Sequence, residues 1–84
     1  MEITVLEIGT IPGHEIPDIQ SMVVQFDGNF EEYKQVEREE ISLPNENIEI
    51  VNVAESYDGS LVIDYIAILM NRKPVRQIHF VPQR

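Results

Sequence analysis

Residues 48–70, reading IEIVNVAESYDGSLVIDYIAILM, decide the fold. Two runs rich in Ile, Val and Tyr flank Asp58-Gly59, and Asp-Gly is the preferred pair for a two-residue type I′ turn between antiparallel strands. Such a turn predicts a register. With Tyr57 opposite Ser60, Ala54 faces Ile63, Val53 faces Asp64 and Ile50 faces Ala67. The chain then enters Asn71-Arg72-Lys73-Pro74, a second turn in which proline cannot donate to a ladder and the basic pair seeks water. Met70 is thereby set against Val75 and Asp64 against Val81, giving strands near 48–57, 60–70 and 75–81 in antiparallel succession.

Alternate residues of a strand point to opposite sides, so the register sorts the side chains by face. One face collects Ile48, Ile50, Ala54, Leu61, Ile63, Tyr65, Ala67, Leu69, Ile78 and Phe80, and is the expected core side. The other mixes Val51, Val53, Val62, Ile66, Ile68, Met70, Val75 and Val81 with Glu49, Glu55, Asp64, Gln77 and His79, and is expected to be half covered. Leu61–Met70 is apolar on both sides and is predicted to lie inside the sheet, with Val75–Val81 at its edge.

The first half of the chain is less regular. Residues 2–8 read as a further strand that ends where Gly9 and Pro12-Gly13 force a loop. Ile19, Met22, Val23 and Phe26 follow the spacing of an amphipathic helix behind Asp18, although Val24 and the β-branched content favour a strand. A competing arrangement pairs Met22–Phe26 with Phe30–Gln35 across Asp27-Gly28-Asn29. From Asn29 to Glu40 the composition favours a helix, with Asn29 and Glu32 at capping-box spacing and a thin apolar face of Phe30, Tyr33, Val36 and Ile41. The predicted class is therefore α+β: a small antiparallel sheet with one or two short helices from 18–40, an all-β meander being the alternative.

Length and composition bound the rest. The chain has 84 residues, 43% of them hydrophobic and 25% charged, which suits one small folded domain spanning 1–84 and is too apolar for a disordered acidic tail. It has no cysteine, so neither disulfides nor thiolate chemistry are expected, and a reducing, cytoplasmic setting fits. The first residues lack the basic and apolar regions of a signal peptide, and the longest apolar run, Leu61–Met70, is too short to span a bilayer. No membrane partner and no cofactor are expected.

Charge is unevenly distributed. Residues 1–71 carry 15 acidic and two basic residues, a sum of −13, whereas 72–84 carry Arg72, Lys73, Arg76 and Arg84 and no acid, a sum of +4; together these give the net −9. Direct nucleic-acid binding is disfavoured by that balance, and a basic protein partner is favoured. The expected contact residues are Glu31, Glu32, Glu37, Glu39 and Glu40 in the acidic segment and Arg72, Lys73 and Arg76 in the basic one. Mimicry of nucleic-acid phosphates by the acidic segment is an alternative that magnitude weakens. Ten helical residues span roughly 15 Å and carry a net −3, against roughly nine charges on that length of duplex.

No nucleophile motif, phosphate-cradling glycine loop or metal-ligand spacing is present, and no metal site is assigned. Two polar groupings remain. His14, Glu15 and Asp18 lie within one loop, and the register puts Glu55, Asp64 and His79 on one sheet face within diagonal reach, a candidate polar or proton-transfer site. The leading expectation is a non-enzymatic protein-binding or regulatory module acting through an acidic, partly apolar surface. Its composition is like that of the accessory proteins with which phages and plasmids inhibit host enzymes. A structural homo-oligomer subunit and a small metal-binding protein or enzyme are the other readings.

Overall fold

The computed structural model describes residues 1–10, 17–70 and 73–83. In chain order the elements are β1 (Glu2–Thr10), β2 (Pro17–Gln25), α1 (Phe30–Ile41), β3 (Ile48–Glu55), β4 (Leu61–Ala67) and β5 (Val75–Pro82). They form one five-stranded antiparallel sheet in the order β2-β1-β5-β4-β3, with α1 carrying the chain from one edge to the other across a single face. The α+β class expected from the sequence is the one observed.

The core lies between that face and α1. Ile3, Tyr33, Leu61, Ile63 and Phe80 are buried together, with Val5, Val24, Phe26, Phe30, Ile41, Ile50 and Ile78 packed around them. Helix α1 begins where Asn29 Oδ1 accepts from the Glu32 N–H at 2.8 Å, satisfying a donor that has no partner within the helix. It ends at Ser42, whose hydroxyl and N–H both donate to Glu39 O.

Residues 17–25 are a strand and not a helix. Ile19, Met22 and Val23, whose spacing reads as a helical stripe, are each more than half exposed, whereas Val24 lies against the core. Pairing with β1 along the whole of β2 overrides the accidental period. The competing 22–26/30–35 hairpin is likewise replaced, since 30–41 is helical.

The β3–β4 turn also differs from the expected type I′. The Ser56 N–H donates to Ser60 O at 2.8 Å and the Gly59 N–H to Ser56 O at 2.9 Å, closing a loop of Tyr57, Asp58 and Gly59. Gly59 alone there has positive φ, 88°, whereas type I′ demands it of Asp58 as well. The extra residue shifts the register by one: Val53 faces Ile63 and Glu55 faces Leu61, so both point to the helix side and Ala54 to the other. A bulge between Ile50 and Asn52 then restores Ile48 and Ile50 to the core face.

Between β4 and β5 the slip is four residues, Asp64 facing Gln77 and Ile66 facing Val75. An even slip leaves every side chain on its expected face. Strand β4 is internal as expected. Strand β5 is internal as well, between β1 and β4, so Val75–Val81 is not an edge; the edges are β2 and β3.

Lys34 ties α1 to the hairpin. Its side chain is 1% exposed, and Nζ lies 2.9 Å from Glu31 Oε1, 3.0 Å from Glu55 Oε1 and 3.1 Å from Gly59 O. It also stands 5.0 Å from the centroid of the Phe30 ring. Burial pushes the ammonium's pKa down, but the hydrogen bonds to Glu31 and Glu55 outweigh it and the net displacement is upward. Arg38 adds a 2.7 Å contact to Glu55, whose carboxyl is held below its ordinary value by Arg38 first and Lys34 second.

Two stability effects are expected, read from urea unfolding at neutral pH. Gly59→Ala costs about 1 kcal/mol, because a Cβ at this φ meets its own backbone while the space beyond is open. Lys34→Met costs about 2 kcal/mol, less than a fully buried pair, because Glu31 and Glu55 regain water.

Candidate functional site

Aromatic packing fastens α1 to the sheet through its N-terminal half, while Arg38 on Glu55 and Ile41 against the core hold the other. At its N-terminal half, Tyr33 meets Phe26 edge-on at 5.2 Å between centroids, Phe80 edge-on at 5.7 Å, and Phe30 in a stack at 6.4 Å. Continuing the same stripe by helical spacing from Tyr33 brings up Glu37 and Glu40, where an amphipathic helix would place apolar residues. Carboxylates cannot close onto Ile and Phe without a partner for their charge. The helix therefore leaves a cleft of about 470 Å³ beneath its C-terminal half.

The floor of this cleft is Ile48, Ile50, Ile63, Tyr65, Ile78 and Phe80, from β3, β4 and β5; Ile41, Leu43 and Asn45 close one end, and Glu37 and Glu40 form the acidic wall. Glu37 is partly buried, and burial raises its pKa; the Tyr33 hydroxyl donates to it and lowers it, the Glu40 charge raises it, and the net direction is up. Tyr33 is pushed up in turn, by burial and then by this carboxylate. Glu37 thus carries its negative charge in a setting that penalises it. A cation placed there would relieve both the desolvation of Glu37 and its repulsion by Glu40.

Tyr65, on the floor, is held by a cross-strand row. Its hydroxyl donates to Glu7, which also accepts from Arg76 Nε at 2.7 Å, and Arg76 reaches Asp18 at 3.5 Å. Asp18, Gly9, Arg76 and Tyr65 are register partners on four successive strands. Gly9 lets the guanidinium cross β1, since a Cβ there would stand 2.7 Å from Arg76 Nη1. Glu7 is held below its ordinary pKa, chiefly by the Tyr65 hydrogen bond and also by Arg76.

Of the residues singled out from sequence, Glu37 and Glu40 line the cleft. Glu31 is engaged with Lys34, Glu39 accepts from Gln35 at 3.2 Å, and Glu32 sits in the first turn of α1. Arg76 is spent on Glu7 and Asp18, and Lys73 is exposed. Arg72, His14 and Glu15 lie outside the described residues. The Glu55, Asp64, His79 grouping is split by the shifted register: Glu55 points to α1, whereas Asp64 and His79 share the opposite face. There the Gln77 amide bridges them, donating to Asp64 at 2.7 Å and accepting from His79 Nε2 at 2.5 Å. Among the described residues no group of three or more His, Asp or Glu is placed to hold a metal ion, and no helix is long and apolar enough to cross a membrane.

The floor residues contributed by β3, β4 and β5 were expected as core, and the cleft itself was not anticipated. Its signal in the sequence is the thin apolar face of α1, with glutamates where the stripe should continue. Comparison with protein-family models, with curated proteins and with solved structures gave no match to this chain.

Because the folded pKa of Glu37 lies above its unfolded value of 4.5, its contribution to stability is fully present below that value and is lost as pH rises through the folded one. Glu37→Gln, which keeps an acceptor for Tyr33, is expected to flatten this decline and to leave the protein more stable than the parent at neutral pH. Unfolding midpoints measured across pH 4 to 7 check it.

Proposed function

We propose that the chain is a non-catalytic binding module that captures a basic segment of another protein, with an apolar side chain seated in the cleft and a neighbouring positive charge against Glu37 and Glu40. The observation that carries this reading is the cleft itself, an apolar floor of a size suited to ligand groups beneath a half-buried Glu37 and an exposed Glu40. The net charge of −9 adds steering, since a basic segment is drawn toward the molecule before contact. Lack of cysteine suits action in the cytoplasm.

Phosphate mimicry by α1 has less support. Lys34 and Arg38 are turned onto Glu31 and Glu55, so the acids do not form a free row along the helix. The basic stretch contributes little to a second surface, because Arg76 is committed to Glu7 and Asp18.

The test is a titration with short synthetic peptides of alternating Leu and Lys, and of alternating Leu and Glu, followed by backbone amide shifts. Binding of the Leu-Lys peptide is expected to move Ile48, Ile50, Ile63 and Tyr65 and to weaken as salt rises. The double substitution Glu37→Gln with Glu40→Gln is expected to reduce affinity by on the order of tenfold, the loss of partly desolvated charge contacts. Equal binding of the Leu-Glu peptide, or shifts confined to other parts of the molecule, would overturn the reading.

A further inference from the structure

The two edges of the sheet are not alike. Strand β3 carries a bulge between Ile50 and Asn52 together with Glu49 and Glu55, devices that discourage pairing with another chain. Strand β2 is regular over nine residues, its only charge is Asp18, and Ile19, Met22 and Val23 are exposed along it. We propose that β2 pairs antiparallel with the β2 of a second copy, about a two-fold axis at Ser21, joining two sheets into one continuous sheet with both helices on the same side.

Hydrogen-bond polarity supports this register. The Phe26 N–H donates to Met1 O at 2.9 Å and the Met1 amino group to Phe26 O at 2.6 Å, so these two residues form a hydrogen-bonded pair. Alternation along an antiparallel ladder then turns the backbone groups of Asp18, Gln20, Met22 and Val24 toward β1. Those of Ile19, Ser21, Val23 and Gln25 face outward. Self-pairing over the full strand sets Ile19 opposite the partner's Val23, Ser21 opposite the partner's Ser21 and Gln25 opposite the partner's Pro17. Each of these residues meets one whose groups also face outward, and Pro17, which has no N–H, is asked only to accept.

Side chains and charge agree with a second copy as the occupant. Ile19 and Val23 project from one face and would pack on the partner's Val23 and Ile19. Asp18 is drawn to Arg76 at 3.5 Å and would stand opposite the partner's Val24, so two chains of net −9 meet here without opposed like charges. The pairing uses the same strand from each copy, so it closes at two, and the bulged β3 edges remain outside, which prevents growth into a fibre.

Sedimentation and backbone hydrogen exchange test the proposal. The wild-type chain is expected to sediment as a dimer, with the Ile19, Ser21 and Val23 amides protected as well as those of Gln20, Met22 and Val24. Ser21→Pro removes an outward N–H without touching the β1 ladder, and is expected to raise the dissociation constant by on the order of tenfold or more while the circular dichroism is unchanged. Ser21→Lys and Ser21→Glu place like charges across the axis; each alone is expected to sediment as a monomer, and an equimolar mixture as a dimer. A wild-type monomer at millimolar concentration overturns the proposal. So does a dimer in which Ile19, Ser21 and Val23 exchange freely, or one indifferent to all three substitutions.

Discussion

The ammonium of Lys34, shut off from water among Glu31, Glu55, Gly59 O and the Phe30 ring, governs where the helix lies. A buried lysine cannot remain charged without partners, and the partners here come from both the helix and the hairpin. Only one position of α1 over the sheet satisfies them together. That position depends on a backbone detail 25 residues away in sequence. With Gly59 in the left-handed region the turn takes one more residue than a type I′ hairpin, and this single step puts Glu55 on the helix side. A two-residue turn would have sent Glu55 to the opposite face and left Lys34 without its second carboxylate.

From this anchor the rest of the helix side follows. Tyr33, one residue before Lys34, is wedged between Phe26 and Phe80, so the N-terminal half of α1 is fixed by aromatic contact and by charge together. Its C-terminal half is held by Arg38 on Glu55 and by Ile41, but has no aromatic wedge, because Glu37 and Glu40 take the positions that would have continued the stripe from Tyr33. The helix is wedged tightly at one end and packed more loosely around Glu37 and Glu40. The cleft is the geometric consequence, and its floor is the part of the core face beneath Glu37 and Glu40.

Much of this was legible in the chain and some was not, for identifiable reasons. The core face of β4 and β5 survives a four-residue slip because an even displacement preserves alternation, and Asn29 with Glu32 announces the start of α1. Ala54 and Glu55 were assigned to the wrong faces because Asp-Gly serves two turn types that differ by one residue, and the choice between them is made by contacts such as Lys34 to Gly59 O. Strand β2 reads as either helix or strand because an edge strand with Ile19, Met22 and Val23 in water has no burial pattern to enforce a period of two. In Glu55, Asp64 and His79 the same one-residue error assembled a site that the fold separates. The acidic rim was visible as charge, but only the position of α1 distinguishes Glu37 and Glu40 from glutamates on a solvated face.

Leaving the cleft open is expensive in so small a protein. Fully burying a leucine-sized side chain contributes about 1.5–3 kcal/mol, and domains are stable by only about 5–15 kcal/mol in all. Apolar residues at positions 37 and 40 would close over the partly buried Ile50 and Ile78 and recover part of that. The chain instead holds a carboxylate at Glu37 where its ionisation is penalised, and adds Glu40 beside it. Local rules of folding are obeyed at the helix cap and along the strands, then broken at these two adjacent positions on one stripe. A break confined to the wall of an apolar cleft fits the proposed binding of a partner that brings its own positive charge.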